Sequence, residues 1–179
     1  MLEFPQDYKV AARAETEGNV ILKAEDLPQL VTAPCAGSDG TGDQWSPETL
    51  LVAAVMDGFI LGFRSIANTA EFDWHALSCL ALGTLDRVDK VNRFTHIRIE
   101  ATLTVPAGSD NNLAQRLMEK AAAACVIANS GTAETHLERT VHEGPGPEEQ
   151  TQWTHRWPRR SEAWTNGSRN TASLLRWAP

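Results

Sequence analysis

The most chemically distinctive side chains in this sequence are three thiols, on Cys35, Cys79 and Cys125. A thiolate can attack an O–O bond or bind a metal, but each reaction depends on what lies beside it. No two of the cysteines have the C-x-x-C spacing of a zinc or thioredoxin-type motif, and three are too few for a disulfide framework. Each thiol is therefore either a small buried apolar residue or part of a redox site.

The histidines show no H-x-x-x-H pattern that would indicate metal binding; they are His75, His96, His136, His142 and His155. We therefore predict no metal site and no cofactor. The formal net charge of −7 argues against a nucleic-acid partner, because such binding needs basic surface to neutralise phosphates. The N-terminal residues lack a secretory signal, and no run of eighteen apolar residues lacks a charge. These features predict a cytoplasmic protein that does not associate with a membrane.

A strong helix start lies at Ser46-Pro47-Glu48. A serine can cap the helix, a proline fits the first helical position, and a glutamate in the first turn is favoured by the helix dipole. The helix should run to about Ala67. Apolar residues cover most of its circumference, which predicts a position in the middle of the structure. Gly58 lies inside this helix, where glycine costs about 1 kcal/mol relative to alanine.

A second helix is predicted over residues 111–129, capped by Ser109 or Asp110 and ending before Gly131. Cys125 lies near its end, on the inner face of the helix. The alanine run 121–124 permits the close approach of a neighbouring helix, which we take to be the helix that contains Gly58.

The remaining segments of the first 142 residues predict strands. Residues 8–15 and 19–24 form a hairpin pattern, 29–32 add a short strand, and 73–87, 94–105 and 134–142 predict three more. In residues 94–105 apolar and polar side chains alternate, as in a half-buried antiparallel strand. These elements indicate an α+β domain over residues 1–142.

Residues 143–179 differ in composition, with four of the six Trp, five Arg and little periodicity. Three interpretations stay open for this C-terminal extension. It is a poorly ordered tail, an aromatic and Arg-rich segment that docks on a partner, or the product of translation past the usual end of the gene.

Several motifs in order resemble the OsmC/Ohr family of thiol-dependent organic hydroperoxide reductases. They are W-S-P-E-x-L-L-x-A-A from Trp45, the following F-I-L-G-F-R, L-D-R, F-x-x-I-x-I and C-x-I-x-N-S from Cys125. The resemblance covers about residues 8–142. In the family, the attacking cysteine lies eleven residues after the proline of the P-E motif. Counting from Pro47 leads to Gly58, so the attacking thiol is absent from this chain.

The resemblance implies antiparallel sheets that wrap two long central helices in an intertwined homodimer. It also implies an organic hydroperoxide as substrate and a dithiol, such as a lipoyl group, as reductant. Cys125 matches the resolving cysteine, and Glu48 matches a glutamate that assists the attacking thiolate. The family's assisting arginine falls near Thr16 in this sequence, which makes Arg13 an open substitute.

Two hypotheses of function follow from this resemblance. In the first, the chain is a weak or inactive peroxidase that retains Cys125 and Glu48 but has Gly58 at the catalytic position. In the second, it is a non-enzymatic protein that binds a lipid-like small molecule in an apolar pocket near Gly58. A third interpretation treats Gly58 as a sequence variant of an ordinary peroxidase. Cys125 is then a redox residue or only fills a helix contact, and Cys35 is a conceivable relocated nucleophile.

Overall fold

The computed structural model describes residues 4–35, 37 and 40–145, which belong to one compact unit. Residues 146–179, which hold most of the predicted C-terminal extension, lie outside the described residues. The chain begins with three short strands, β1 (Ala11–Arg13), β2 (Val20–Lys23) and β3 (Leu30–Thr32), which form an antiparallel sheet in the order β1-β2-β3. The predicted strands at these places are correct in position but longer than those observed.

The long helix α1 (Pro47–Thr69) follows, close to its predicted extent. Ser46 is its N-cap: the Ser46 Oγ accepts a hydrogen bond from the Thr49 N–H at 3.3 Å, and the Ser46 N–H donates to the Thr49 Oγ1 at 2.9 Å. This reciprocal pair satisfies two donors at the helix start and fixes the beginning of the helix.

The second sheet contains β4 (Ala76–Val88), β5 (Val91–Val105) and β6 (Glu134–Glu143), in that order. The predicted alternation in β5 is confirmed, because its apolar side chains are buried; these are Ile97, Ile99, Ala101, Leu103 and Val105. They form one core with the buried faces of α1 and α2 (Asn111–Ala123).

The prediction of antiparallel sheets is wrong for one strand pair. β4 and β5 are antiparallel, but β6 runs parallel to β5, with His96 opposite Glu134 and Val105 opposite Glu143. The physical reason is the connection between them. α2 returns the chain to the end of the sheet where β5 began, and a crossover of this kind produces a parallel neighbour.

The second helix is also shorter than predicted. α2 ends at Ala123, and a separate short helix, α3, covers Val126–Asn129. Asp110 is the N-cap of α2, since its carboxylate accepts a hydrogen bond from the Leu113 N–H at 2.9 Å. In the fold as described, therefore, only α1 is a long helix.

Much of α1 is exposed or only partly covered by its own chain. In its most apolar eighteen-residue window, 22% of the residues are buried, and by length and composition alone this helix would also fit a membrane span. The sequence did not indicate a membrane span here, because Asp57 and Arg64 interrupt the apolar run. The sheet β1-β2-β3 is similarly exposed: every residue of β1 and half of those of β2 are exposed.

Candidate functional site

Gly58 and Cys125 face each other where α1 passes the start of α3. A Cβ atom added to Gly58 would lie 3.1 Å from the Cys125 Sγ and 3.3 Å from the Ile127 Cγ1. In a disulfide, the Cβ of one cysteine lies about 3 Å from the sulfur of the other, because an S–S bond of about 2.05 Å joins the two sulfurs. Position 58 is therefore placed for a sulfur partner of Cys125, and it holds a glycine.

The end of α2 determines where the Cys125 thiol points. Ala124 closes α2, and Cys125 has an extended backbone as the N-cap of α3, with φ −65° and ψ 109°. The expected continuous helix through Cys125 is thus interrupted one residue before it. This break turns the thiol toward α1, where its Sγ donates a hydrogen bond to the Val55 carbonyl at 3.7 Å.

Burial protects this thiol from solvent. Cys125 is 4% exposed. The hydrogen bond to the Val55 carbonyl is available only to the protonated thiol, since a thiolate cannot donate. With so little of the side chain exposed, a peroxide has little access to the Cys125 sulfur in one subunit.

Glu48 lies in the first turn of α1, as predicted, ten residues before Gly58. Its Oε2 atom is buried and makes no hydrogen bond within the described part of the chain. A buried carboxylate oxygen without a donor is costly, on the order of 1–3 kcal/mol. Within the described residues, this oxygen of Glu48 is therefore buried without a hydrogen-bond donor.

Arg13 does not supply that donor within one chain. Its guanidinium pairs with the Glu15 carboxylate at 3.4 Å, and its side chain is 82% exposed. The described residues show no ion pair between Arg13 and Glu48. Within a single subunit, therefore, Arg13 does not pair with Glu48.

The other two cysteines lie in different places and form no disulfide. Cys79 is buried on β4 within the main core, and burial raises the pKa of its thiol to about 12. Cys35 is partly buried before the loop that leads to α1. Among the described residues, no group of three His, Cys, Asp or Glu side chains could hold a metal ion.

A cavity of about 210 Å³ lies on the other side of Ile127, between α1, α3, β5 and the start of β6. We call it the α3 cavity. Most of its lining is apolar, with two threonines and a glycine near the start of β6; the lining residues are Leu51, Val55, Phe94, Ile97, Ile127, Ala128, Gly131, Thr132, Ala133 and Thr135. Gly58 does not line it, although Ile127, which does, contacts the Gly58 position.

Sequence reasoning missed the role of Ile127. Its side chain both contacts the Gly58 position and lines the α3 cavity, so it fills the space next to the position of the missing side chain. The sequence feature that could have indicated this role is the position of Ile127 two residues after Cys125. The predicted close approach of the alanine run to α1 does occur, but at Gly62, whose added Cβ would lie 3.8 Å from the Ala121 carbonyl oxygen.

Comparison with known proteins connects this arrangement to one family. Residues 40–139 match the sequence model of the family described as OsmC-like protein. Among curated proteins, no sequence matches this chain significantly.

Solved structures show the same fold. An OsmC-like protein of unknown function from Vibrio cholerae superposes with a TM-score of 0.69 at 18% identity, covering 76% of this chain and all of that chain. An organic hydroperoxide resistance protein OsmC from Legionella pneumophila gives 0.60 at 20% identity, covering 78% of this chain and 99% of that one. The organic hydroperoxide resistance protein OhrB of Bacillus subtilis gives 0.54 at 18% identity, covering 75% and 98%. At these identities the likeness shows a common fold.

Proposed function

Because this chain belongs to the OsmC-like protein family, we propose that it is related to thiol-dependent organic hydroperoxide reductases but is weak or inactive as a peroxidase. The observation that carries this proposal is the contact between Gly58 and Cys125. The position that faces the thiol at disulfide distance has no sulfur, so the redox couple is incomplete.

The chemistry of the family explains why one sulfur is insufficient. In the first step a thiolate attacks the peroxide O–O bond; the sulfur becomes a sulfenic acid, and the alkoxide leaves with a proton as an alcohol. In the second step another thiol attacks the sulfenic sulfur, water leaves and a disulfide forms. A dithiol then reduces the disulfide by exchange. With glycine at position 58, Cys125 has neither an attacking partner nor a sulfenic acid to resolve.

The peroxide assay compares wild type, Gly58→Cys and Cys125→Ser, with cumene hydroperoxide as substrate and dihydrolipoamide as reductant. Wild type should consume no more peroxide than Cys125→Ser does. Gly58→Cys should restore turnover if the remaining site, including Glu48, is still competent. Gly62→Cys is the matched control, because it adds a thiol to the same helix at a position that faces Ala121 instead of Cys125.

Each outcome has a definite meaning. Turnover by wild type that disappears in Cys125→Ser would contradict the inactive assignment. A folded Gly58→Cys variant without activity would show that the site lacks more than the thiol at position 58. That result would favour the second function below.

A second function is supported by the α3 cavity: we propose that the protein binds a small, mainly apolar molecule there without transforming it. The cavity is preformed and close to the position that lost its thiol, and its lining contains no charged side chain. Apolar clefts with a few polar groups are the usual form of small-molecule sites. Native mass spectrometry of the purified protein should detect a co-purifying ligand, and failure of neutral apolar probes to shift the NMR signals of the cavity residues would count against this function.

We also propose that the chain assembles as an intertwined homodimer. The support is the amount of apolar surface that one chain leaves open, on α1 at Leu51 and Leu61 and on the sheet β1-β2-β3 at Ile21 and Val31. One face of this sheet is half-buried, whereas the face that contains Ile21 and Val31 is open, and an exposed apolar face of this kind marks an interaction surface. Light scattering coupled to gel filtration should give twice the mass of one chain, and a monomer at micromolar concentration would contradict the proposal.

A further inference from the structure

Ile127 occupies the boundary between the buried thiol and the α3 cavity. Its Cγ1 lies 3.3 Å from where a Gly58 Cβ would be, and the Cys125 Sγ lies 3.1 Å from that same point. On its other side the Ile127 side chain lines the cavity. Ile127 therefore contacts both the Gly58 position and the cavity, and Val55, whose carbonyl accepts the hydrogen bond from the Cys125 Sγ, lines the cavity beside it.

We propose that Ile127 determines what the α3 cavity accepts, by closing it against the Gly58–Cys125 contact so that a bound ligand does not touch the thiol. This inference rests on the proposal that the cavity binds a small molecule. To the binding function, the inference adds a class of ligand and the residue that selects that ligand.

The size and lining of the cavity define the ligand class. An enclosed apolar cavity of about 150 Å³ holds benzene. The α3 cavity is about 210 Å³ and is partly open to solvent, with Leu51 and Ile127 at its rim, so it has room for a benzene ring with a short substituent. A charged ligand would lose its hydration without gaining an ion partner. Thr132 and Thr135 make no side-chain hydrogen bond within the described part of the chain, so their hydroxyls can bind one polar substituent.

Shortening Ile127 should join the two spaces. Ile127→Ala removes three carbon atoms from the boundary, and the cavity then extends toward the Cys125 Sγ. N-benzylmaleimide is a suitable probe because its ring fits the cavity. The thiol adds across the maleimide double bond; a C–S bond forms at one carbon, and the thiol proton ends on the other.

The experiment measures the alkylation rate of each cysteine by peptide mass spectrometry. The rate at Cys125 should rise at least about tenfold in Ile127→Ala, because the probe no longer waits for a local opening of the structure. With a maleimide that carries a sulfonate, the alkylation rate at Cys125 should rise much less. Val126→Ala is the matched control, since Val126 belongs to the same turn of α3 but is 73% exposed, and it should leave the rate unchanged.

Two measurements separate the failure of this inference from the failure of the binding function. If wild type binds neutral probes such as ethylphenol, and Cys125 reacts equally slowly in wild type and Ile127→Ala, Ile127 is not the boundary and the inference is wrong. If no neutral probe binds wild type but the alkylation rate rises as expected, the boundary is supported and the binding function fails. Ile127→Val, which removes one carbon, should give an intermediate rate and replaces Ile127→Ala if that variant does not fold.

Discussion

The Cys125 Sγ lies 3.1 Å from the point where a side chain on Gly58 would begin. This is the separation between a Cβ atom and the opposite sulfur across a disulfide, about 3 Å. The backbone at position 58 would therefore place a cysteine side chain within disulfide reach of Cys125. Counting from Pro47 predicted that the family's attacking position is residue 58, and in the structure residue 58 faces Cys125.

Gly58→Cys should form an intramolecular disulfide with Cys125 under mild oxidation. The helices already hold the two positions at bonding distance, so little backbone movement is required. The oxidised variant should lose two hydrogens by mass spectrometry and should unfold at a higher temperature than its reduced form. Gly62→Cys treated in the same way should keep its thiol. A reduced Cys125 in the oxidised Gly58→Cys variant would contradict the observed geometry.

Gly83→Ala should destabilise the protein by about 1–3 kcal/mol, because overpacking forces side chains out of their preferred positions. A Cβ atom on Gly83 would lie 2.5 Å from the Val52 Cγ2 and 2.7 Å from the Phe94 Cε1. The Val52 side chain cannot move aside easily, since valine is stiff at χ1. Urea unfolding measures the change in the free energy of unfolding. Gly37→Ala, where an added Cβ would meet nothing within 4 Å, is the control and should change it by less than about 0.5 kcal/mol.

Cys79 should make the protein less stable in alkali. Burial raises the pKa of its thiol from 9.0 to about 12, so between these values the folded state holds a proton that the unfolded state has released. Stability is therefore lost as the pH rises from about 9 toward 12. The slope of unfolding free energy against pH in this window should be smaller for Cys79→Ala than for wild type. Equal slopes would contradict the raised pKa.

Glu143 should contribute stability that disappears in acid. The Gly108 N–H and the Asn111 side chain both donate hydrogen bonds to its carboxylate, at 2.9 and 3.1 Å, and they lower its pKa below 4.5, the backbone bond having the larger effect. The contribution is present above pH 4.5 and is lost as the pH falls through the lower, folded-state pKa.

Replacing Glu143 by Gln should therefore lower the melting temperature at neutral pH but leave it close to wild type in acid. The effect should be small, since this side chain is exposed. Glu17→Gln is the control, because Glu17 makes no such bonds among the described residues. If the difference in melting temperature between Glu143→Gln and wild type is the same at neutral and acidic pH, the Glu143 carboxyl does not cause it by titrating.

Much of the fold was predictable because its signals are local. The start of α1 depends on Ser46 and Pro47, which act within one helical turn. The buried face of β5 follows from the alternation of its own residues, and the turn before β2 from Gly18, which has a positive φ of 94°. The direction of β6 was not predictable in this way, because it depends on where α2 returns the chain.

The sequence by itself determined that this chain has the elements of its family and that position 58 has no thiol, because both follow from residue types and their spacing. Only the tertiary structure decided how closely Gly58 faces Cys125, that α2 ends before Cys125, and that Ile127 separates the thiol from the α3 cavity. The contacts of Gly58 with Cys125 and Ile127 join residues about seventy positions apart. Their distances are set by how α1, α3 and the sheet pack together, and no local pattern in the chain specifies that packing.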